Sequence, residues 1–238
     1  MNSILAICQE AADLAAVKRP EDLFNASSQQ DCIFLSVAKS ALDSLLRYGD
    51  WQELTKEGVL RTSGHRTRYL LAEVAPDFYS LLNNTIYVKN STEKVIGAIT
   101  PEDWAKEKCF HEVSSGIKFK IQNGMIKFLT PPPEGIRIIF QYRSDTVCYD
   151  AKSLNEKSKI TKNDDIPVFD KYLVKLGILW RWLKRSGMDY TEEYAEYERE
   201  LKKRFASSLA VKDINLCGFI FDEAEKGVTI NVKPDYKS

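Results

Sequence analysis

Apolar residues recur at three- and four-residue steps through residues 165–205, and this period predicts two helices. Phe169, Tyr172, Leu173, Leu176, Leu179, Trp180 and Leu183 fall on one face of the first. Pro167 sits where a first helical turn tolerates it, and Gly187 where a left-handed C-terminal cap is wanted. Asp189 with Glu192 gives a capping-box-like start to the second helix. Its stripe is Tyr190, Tyr194, Tyr197, Leu201 and Phe205. The pair reads as an antiparallel helical hairpin, bulky inside and mixed Lys, Arg and Glu outside.

The same period opens the chain. Ile4, Cys8, Ala11, Ala12 and Ala15 make a small-residue helical face that Pro20 is expected to end. Ser27 or Ser28 can cap a second helix carrying Ile33, Val37, Ala38, Ala41, Leu45 and Tyr48, closed by Gly49. From Trp51 to about Arg143 the pattern changes to alternation. Ile117, Phe119 and Ile121 alternate with Lys118 and Lys120. Asn123-Gly124 is the pair a two-residue hairpin turn prefers, and 125–129 is the return strand. GIRIIFQY (135–142) supplies a further strand. One short helix, opened by Thr100-Pro101-Glu102-Asp103 and anchored by Trp104, interrupts these strands. Residues 150–165 are polar and Lys-rich, and read as a surface loop.

The expected architecture is therefore α+β. A bundle of N- and C-terminal helices (1–49 and 165–208) holds an inserted antiparallel β unit (about 51–150), making one domain over 1–208. Each helix pair alone has too little to bury its stripe against, so the two pairs are expected to share one core. Residues 209–238 form an extended C-terminal tail. Its strand-forming runs, Gly218-Phe219-Ile220-Phe221 and 228–232, flank a polar turn. A lone hairpin is marginal in water, so the tail is expected to dock elsewhere, with Phe219, Phe221 and Ile230 as anchors.

Composition narrows the function. Hydrophobic residues make up 44% and charged residues 29% of 238, as in an ordinary globular protein. Lys+Arg and Asp+Glu both number 34, so no overall field selects a polyanion or a membrane. Apolar runs such as LGILW are too short to cross a bilayer, and MNSILAICQEAADLA does not read as a signal peptide. Five scattered cysteines read as reduced packing residues of a protein made in the cytoplasm.

Candidate chemistry is sparse. His65 in SGHRTR reads as a solvated loop residue. Cys109 and His111 lack a second Cys/His pair at ligand spacing. No CxxC, nucleophile elbow or phosphate loop is present, and Asp164-Asp165 read as a cap ahead of Pro167. No catalytic activity, metal or cofactor is expected. Two basic clusters remain: Arg61, His65, Arg66 and Arg68 in one loop, and Arg181, Lys184 and Arg185 with Trp182 on one helix end. Either can neutralise phosphates, which keeps a nucleic-acid-binding protein as the competing class.

The collinear set DWQELTKE, APDFYSLLNNTIY, ITPEDWAKEK, IQNGMIKFLTPPPEG followed by FQYRSD, and LGILWRWLKRSGMDYTEEYAEYERELKK resembles head-to-tail adaptor (connector) proteins of tailed bacteriophages, the short-tailed type above all. The resemblance runs over residues 1–205. It implies a virion structural protein at the head–tail junction, made in the host cytoplasm and assembling as a ring of about twelve copies under the portal. The implied partners are the portal protein, copies of the chain itself, a tail nozzle or tail tube protein, and DNA passing non-specifically through the channel. Arg61, Arg66 and Arg68 are the expected channel-facing residues. The implied alternatives within this group are head-completion stoppers and tail terminators. NLCG (215–218) matches an NLGG-like stretch near which many members end, and this chain continues beyond it.

Overall fold

The computed structural model describes residues 3–25, 28–110 and 116–208. Five helices and several sheets make it an α+β fold.

Four helices build the frame. In α1 (Ile4–Leu14) the Ser3 hydroxyl accepts from the Ala6 amide, and Ile4, Ile7, Cys8, Ala11 and Ala12 are buried. The helix stops six residues before Pro20, because Ala16 turns left-handed (φ 52°) and Val17 N–H closes onto Ala12 O. In α2 (Gln29–Tyr48) Ser28 supplies the cap, accepting from Asp31 N–H at 3.1 Å; Ser27 lies outside the described residues. Phe34, Val37, Ala38, Ala41, Leu42, Leu45 and Leu46 face the core.

The strongest helix, α4 (Lys171–Arg185), starts later than its proline suggested. Asp170 caps it by accepting from the Tyr172 and Leu173 amides at 2.9 and 3.2 Å. Pro167 is instead in a short strand, where its missing N–H is harmless. The buried face of α4 is also wider than the expected stripe. Val174, Ile178 and Trp182 are buried with Leu173, Leu176, Leu179 and Leu183, because α1, α2 and α5 all pack against this helix. Trp182 stacks on Phe34 at 5.8 Å. Trp180 is only half-buried, wedged against Tyr194 and Tyr197 of α5, and Tyr172 is exposed.

The hairpin turn is as expected. Gly187 is left-handed (φ 72°), and Met188 N–H reaches Leu183 O while Gly187 N–H reaches Lys184 O, the paired bonds that close a helix on glycine. Helix α5 (Thr191–Ser208) begins with Asp189 accepting from the Thr191 amide and hydroxyl, a local turn in place of the expected capping box. Tyr197 and Leu201 are buried against α4. Side chains from α1, α2, α4 and α5 share one continuous core, so the two sequence-distant helix pairs do form one bundle.

The insertion between α2 and α4 has its own core. One sheet joins β1 (Thr55–Arg61), β8 (Arg137–Ser144) and β3 (Phe78–Leu81), with β4 (Tyr87–Val88) also on β8. A second runs β2 (Arg68–Leu70), β7 (Met125–Phe128), β6 (Ile117–Gln122), β5 (Val95–Ile96). All these pairings are antiparallel except β5 on β6, which is parallel. Asn123 (φ 53°) and Gly124 (φ 67°) make the expected tight turn between β6 and β7. Leu60, Tyr69, Phe119, Ile126, Phe128, Ile138 and Phe140 fill the space between the sheets. Helix α3 (Pro101–Phe110) is capped by Thr100 and leaves Trp104 half-buried.

Residues 150–165 are not a plain surface loop. They contribute β10 (Glu156–Lys157), which pairs with β9 (Cys148–Tyr149), as does β11 (Ile166–Pro167). Ile160 and Asp165 are buried. The Asp165 carboxylate accepts from Lys157 Nζ at 2.6 Å and from the Thr161 and Lys162 amides at 2.7 and 3.0 Å. Its main-chain oxygen accepts from Ile4 N–H, so Asp165 anchors the start of α1 and does not cap α4. A buried carboxylate with this many partners is tolerable; losing one partner would not be.

Gly49 marks a tight crossing. Its backbone is extended (φ −179°), so no left-handed cap requires a glycine there. A Cβ at this position would instead run into the Phe205 ring, which itself packs edge-on to Tyr48 and Trp51 at 5.1 and 5.2 Å. Gly49→Ala is expected to cost about 1–3 kcal/mol of unfolding free energy, the range for overpacking. Adding Phe205→Leu should recover part of that loss in denaturant titrations; an alanine variant as stable as the parent would contradict the packing.

Candidate functional site

Cations gather at one end of the β unit because of strand register. Arg61 ends β1 and Arg68 begins β2, joined by the 62–67 loop. Across the first sheet Arg61 pairs with Arg137, and Lys89 N–H bonds to Arg137 O from the other side. Across the second sheet Arg68 pairs with Lys127, and Lys127 with Lys120. Each sheet thus carries three cations at adjacent positions on its outer face, on strands spaced about 4.8 Å apart.

Like charges directly opposite each other destabilise a sheet. Even so, none of these six side chains has a carboxylate within 4.0 Å among the described residues. Arg61, Arg68, Lys89 and Arg137 are exposed; Lys120 and Lys127 are half-buried, Lys120 lying 4.6 Å from the Trp104 ring centre. Arg66 behaves differently. Its Nε donates to Arg68 O, its guanidinium lies 4.8 Å over the Tyr69 ring, and Glu73 is 3.7 Å away, so it braces the loop.

Of the three arginines expected from sequence, Arg61 and Arg68 have no carboxylate partner among the described residues, and Arg66 is tied down. The fold adds Lys89, Lys120, Lys127 and Arg137, which sequence reading missed. The Lys118/Lys120 alternation and the arginine of GIRIIFQY were visible signals, but only the register brings them together. The second basic cluster loses its arginine and tryptophan to the bundle, leaving Lys184 and Arg185 exposed at the end of α4. Arg181 donates to Gly177 O and Ser44 Oγ at 2.8 Å and stacks 4.3 Å over Trp180, and burial holds its pKa below the usual arginine range. Trp182 is core.

Among the described residues no three His, Cys, Asp or Glu side chains converge on a metal position. Burial pushes the Cys8 thiol far up and the Cys148 thiol up to about 12, so both stay protonated. His111, Ser114 and Ser115 lie outside the described residues, as do the tail anchors Phe219, Phe221 and Ile230.

A second polar cluster ties the β unit to the 150–165 segment. Lys56 of β1 contacts Asp77 Oδ2 at 2.6 Å and also Glu156 of β10, while Tyr142 donates to Asp77 Oδ1 at 2.8 Å. Burial alone would raise the Asp77 pKa, but these two hydrogen bonds hold it below the usual value. Tyr142 is pushed up to about 12 by burial and by its bond to Asp77. Asp145, beside them, is raised by burial and by the Asp77 charge. The cluster borders a shallow cleft of about 480 Å³, and its bonds are all internal. It is a structural joint.

No helix among the described residues is long and apolar enough to cross a membrane. No protein-family model matches the chain, and no curated protein matches it.

The joint has a pH signature. A raised carboxyl pKa favours the fold below the ordinary aspartate pKa of 3.8 and penalises it as pH rises through the folded value. Asp145→Asn removes that penalty, so its melting temperature should exceed the parent's at pH 7. The gain should vanish as pH falls below the ordinary aspartate range, where the parent's Asp145 is neutral too. Asp77→Asn should do the opposite, losing stability most at neutral pH, where its depressed pKa stabilises the ionised form. Thermal scans across pH read both signs.

Proposed function

We propose that this chain is a head-to-tail adaptor of a tailed bacteriophage of the short-tailed type. It attaches beneath the portal ring, joins the head to the tail nozzle or tube, and lines the channel through which DNA leaves. In the particle it stands at the head–tail junction as a ring of about twelve copies. The carrying observation is the α4–α5 hairpin, LGILWRWLKRSGMDYTEEYAEYERELKK, packed with α1 and α2 into one core while the β unit is inserted between α2 and α4. That is the frame expected of the adaptors the sequence resembles.

The two cation rows favour a second reading, a nucleic-acid-binding protein acting away from any virion. The two separate on partner choice. Mixed with portal rings of its own phage, the chain should add density beneath the portal in electron micrographs. A portal that takes up none of it would count against the adaptor role. Binding to the tail tube and not to the portal would move the chain to the stopper or tail-terminator group.

A further inference from the structure

Among the described residues the six cations of the two rows have no carboxylate partner. Residues 55–144 carry thirteen Lys and Arg against nine Asp and Glu, although the whole chain has 34 of each. The neutral total therefore hides a basic β unit and an acidic remainder. Within the β unit the surplus is not spread evenly. Arg61, Arg137 and Lys89 form one cross-strand row, and Arg68, Lys127 and Lys120 another. The 62–67 loop links Arg61 to Arg68, so both rows lie toward that loop, each on the outer face of its own sheet with the shared core between them.

One step along the first sheet the side chains change character. Val59, Ile139 and Tyr87 form the next outer row, with Val59 43% and Tyr87 64% exposed. The Tyr87 hydroxyl donates to Asn84 O at 2.8 Å, so its ring is presented as a flat apolar surface beside the cations. Cations in a line with an aromatic face alongside are the pieces that follow a sugar–phosphate chain. Cations meet phosphates, and the ring meets sugars or unstacked bases.

We infer that the outer face of the first sheet, at this end, is a sequence-independent binding site for the sugar–phosphate backbone of nucleic acid. Arg61, Arg137 and Lys89 contact the phosphates, while the row of Arg68 and Lys127 lies on the outer face of the other sheet, beyond the shared core. None of these side chains is held in a rigid fork aimed at a base edge, so no base preference arises. The inference rests on the adaptor reading only for its place in the particle, where it names the surface that faces DNA. The chemistry is the chain's own.

The test uses the full chain without portal, so it succeeds or fails independently of portal binding. Fluorescence anisotropy with a labelled duplex of arbitrary sequence, and with a single strand of the same sequence, is measured over a salt series. Arg61→Glu/Arg137→Glu is expected to weaken duplex binding more than about tenfold at low salt and to flatten the salt dependence by about two in log–log slope. Lys202→Glu/Lys203→Glu makes the same change of net charge on exposed α5 positions and should leave both nearly unchanged. Tyr87→Ala should weaken the single strand more than the duplex. Matching unfolding midpoints for all variants exclude misfolding. Equal losses from both charge-reversed pairs would reduce the effect to net charge and overturn the site. Binding that depends on sequence would overturn the backbone reading. A parent chain that binds neither probe at low salt would overturn the inference outright and leave the rows to an acidic protein surface.

Discussion

An insertion can be carried only if the host closes behind it, and in this protein the closure is the indole of Trp51. It stands just after Gly49, where the chain leaves the bundle. Its Nε1 donates to Leu45 O at 2.7 Å, fixing it to the last turns of α2. Its ring meets Phe169, where the chain returns, at 5.6 Å, and Phe205 near the end of α5 at 5.2 Å. Exit, return and the end of the last helix thus share one aromatic contact. Arg143, at the end of β8, donates to the Gly49 carbonyl and pairs with Asp50, so the β unit grips the same crossing from outside. The clamp closes the crossing between α1–α2 and α4–α5, pairs more than a hundred residues apart in sequence whose stripes meet in one core.

The second closure is polar. Asp165 is buried at the start of α1, yet every oxygen it presents has a donor: Lys157, Thr161, Lys162 and Ile4. Asn163 adds two more ties, accepting from Leu5 N–H through its main chain and from Leu23 N–H through its side chain. A segment that looks solvated from composition is therefore the strap that holds the N-terminal helix. Burying ions in this way is weak evidence for stability, since apolar replacements often serve as well. What the strap adds is position: α1 has small residues and little intrinsic grip, and hydrogen bonds at its first turn set where it begins.

How far such features are legible in sequence depends on whether they are local. Helix stripes are, and the bundle and the Asn123-Gly124 hairpin follow from them and from turn chemistry. The boundary and facing errors have one cause. α4 is enclosed on three sides, so a single-stripe reading picks Trp180 and misses Trp182, and nothing within a few residues distinguishes them. Residues 150–165 were illegible because burial of Asp165 depends on partners whose approach only the fold provides. The cation rows lie at the far limit. Positions 61, 89 and 137 become neighbours through the register of three strands, and alternation gives the face of a residue without its neighbour.

Those rows set folding and binding against each other. On α5 the cations answer acids one turn away, as Lys202 does Glu198 and Arg204 does Glu200, and the helix gains a few tenths of a kcal/mol from each pair. On β1, β8 and β4 the row holds Arg61, Arg137 and Lys89, and every cross-strand neighbour is another cation. Exposure and salt screening keep the repulsion small, but its sign is unfavourable throughout. A threonine or glutamate at the middle position would suit the sheet better. Among the described residues no carboxylate answers either row, and a repeating polyanion is the kind of counter-charge that would meet one at several points at once.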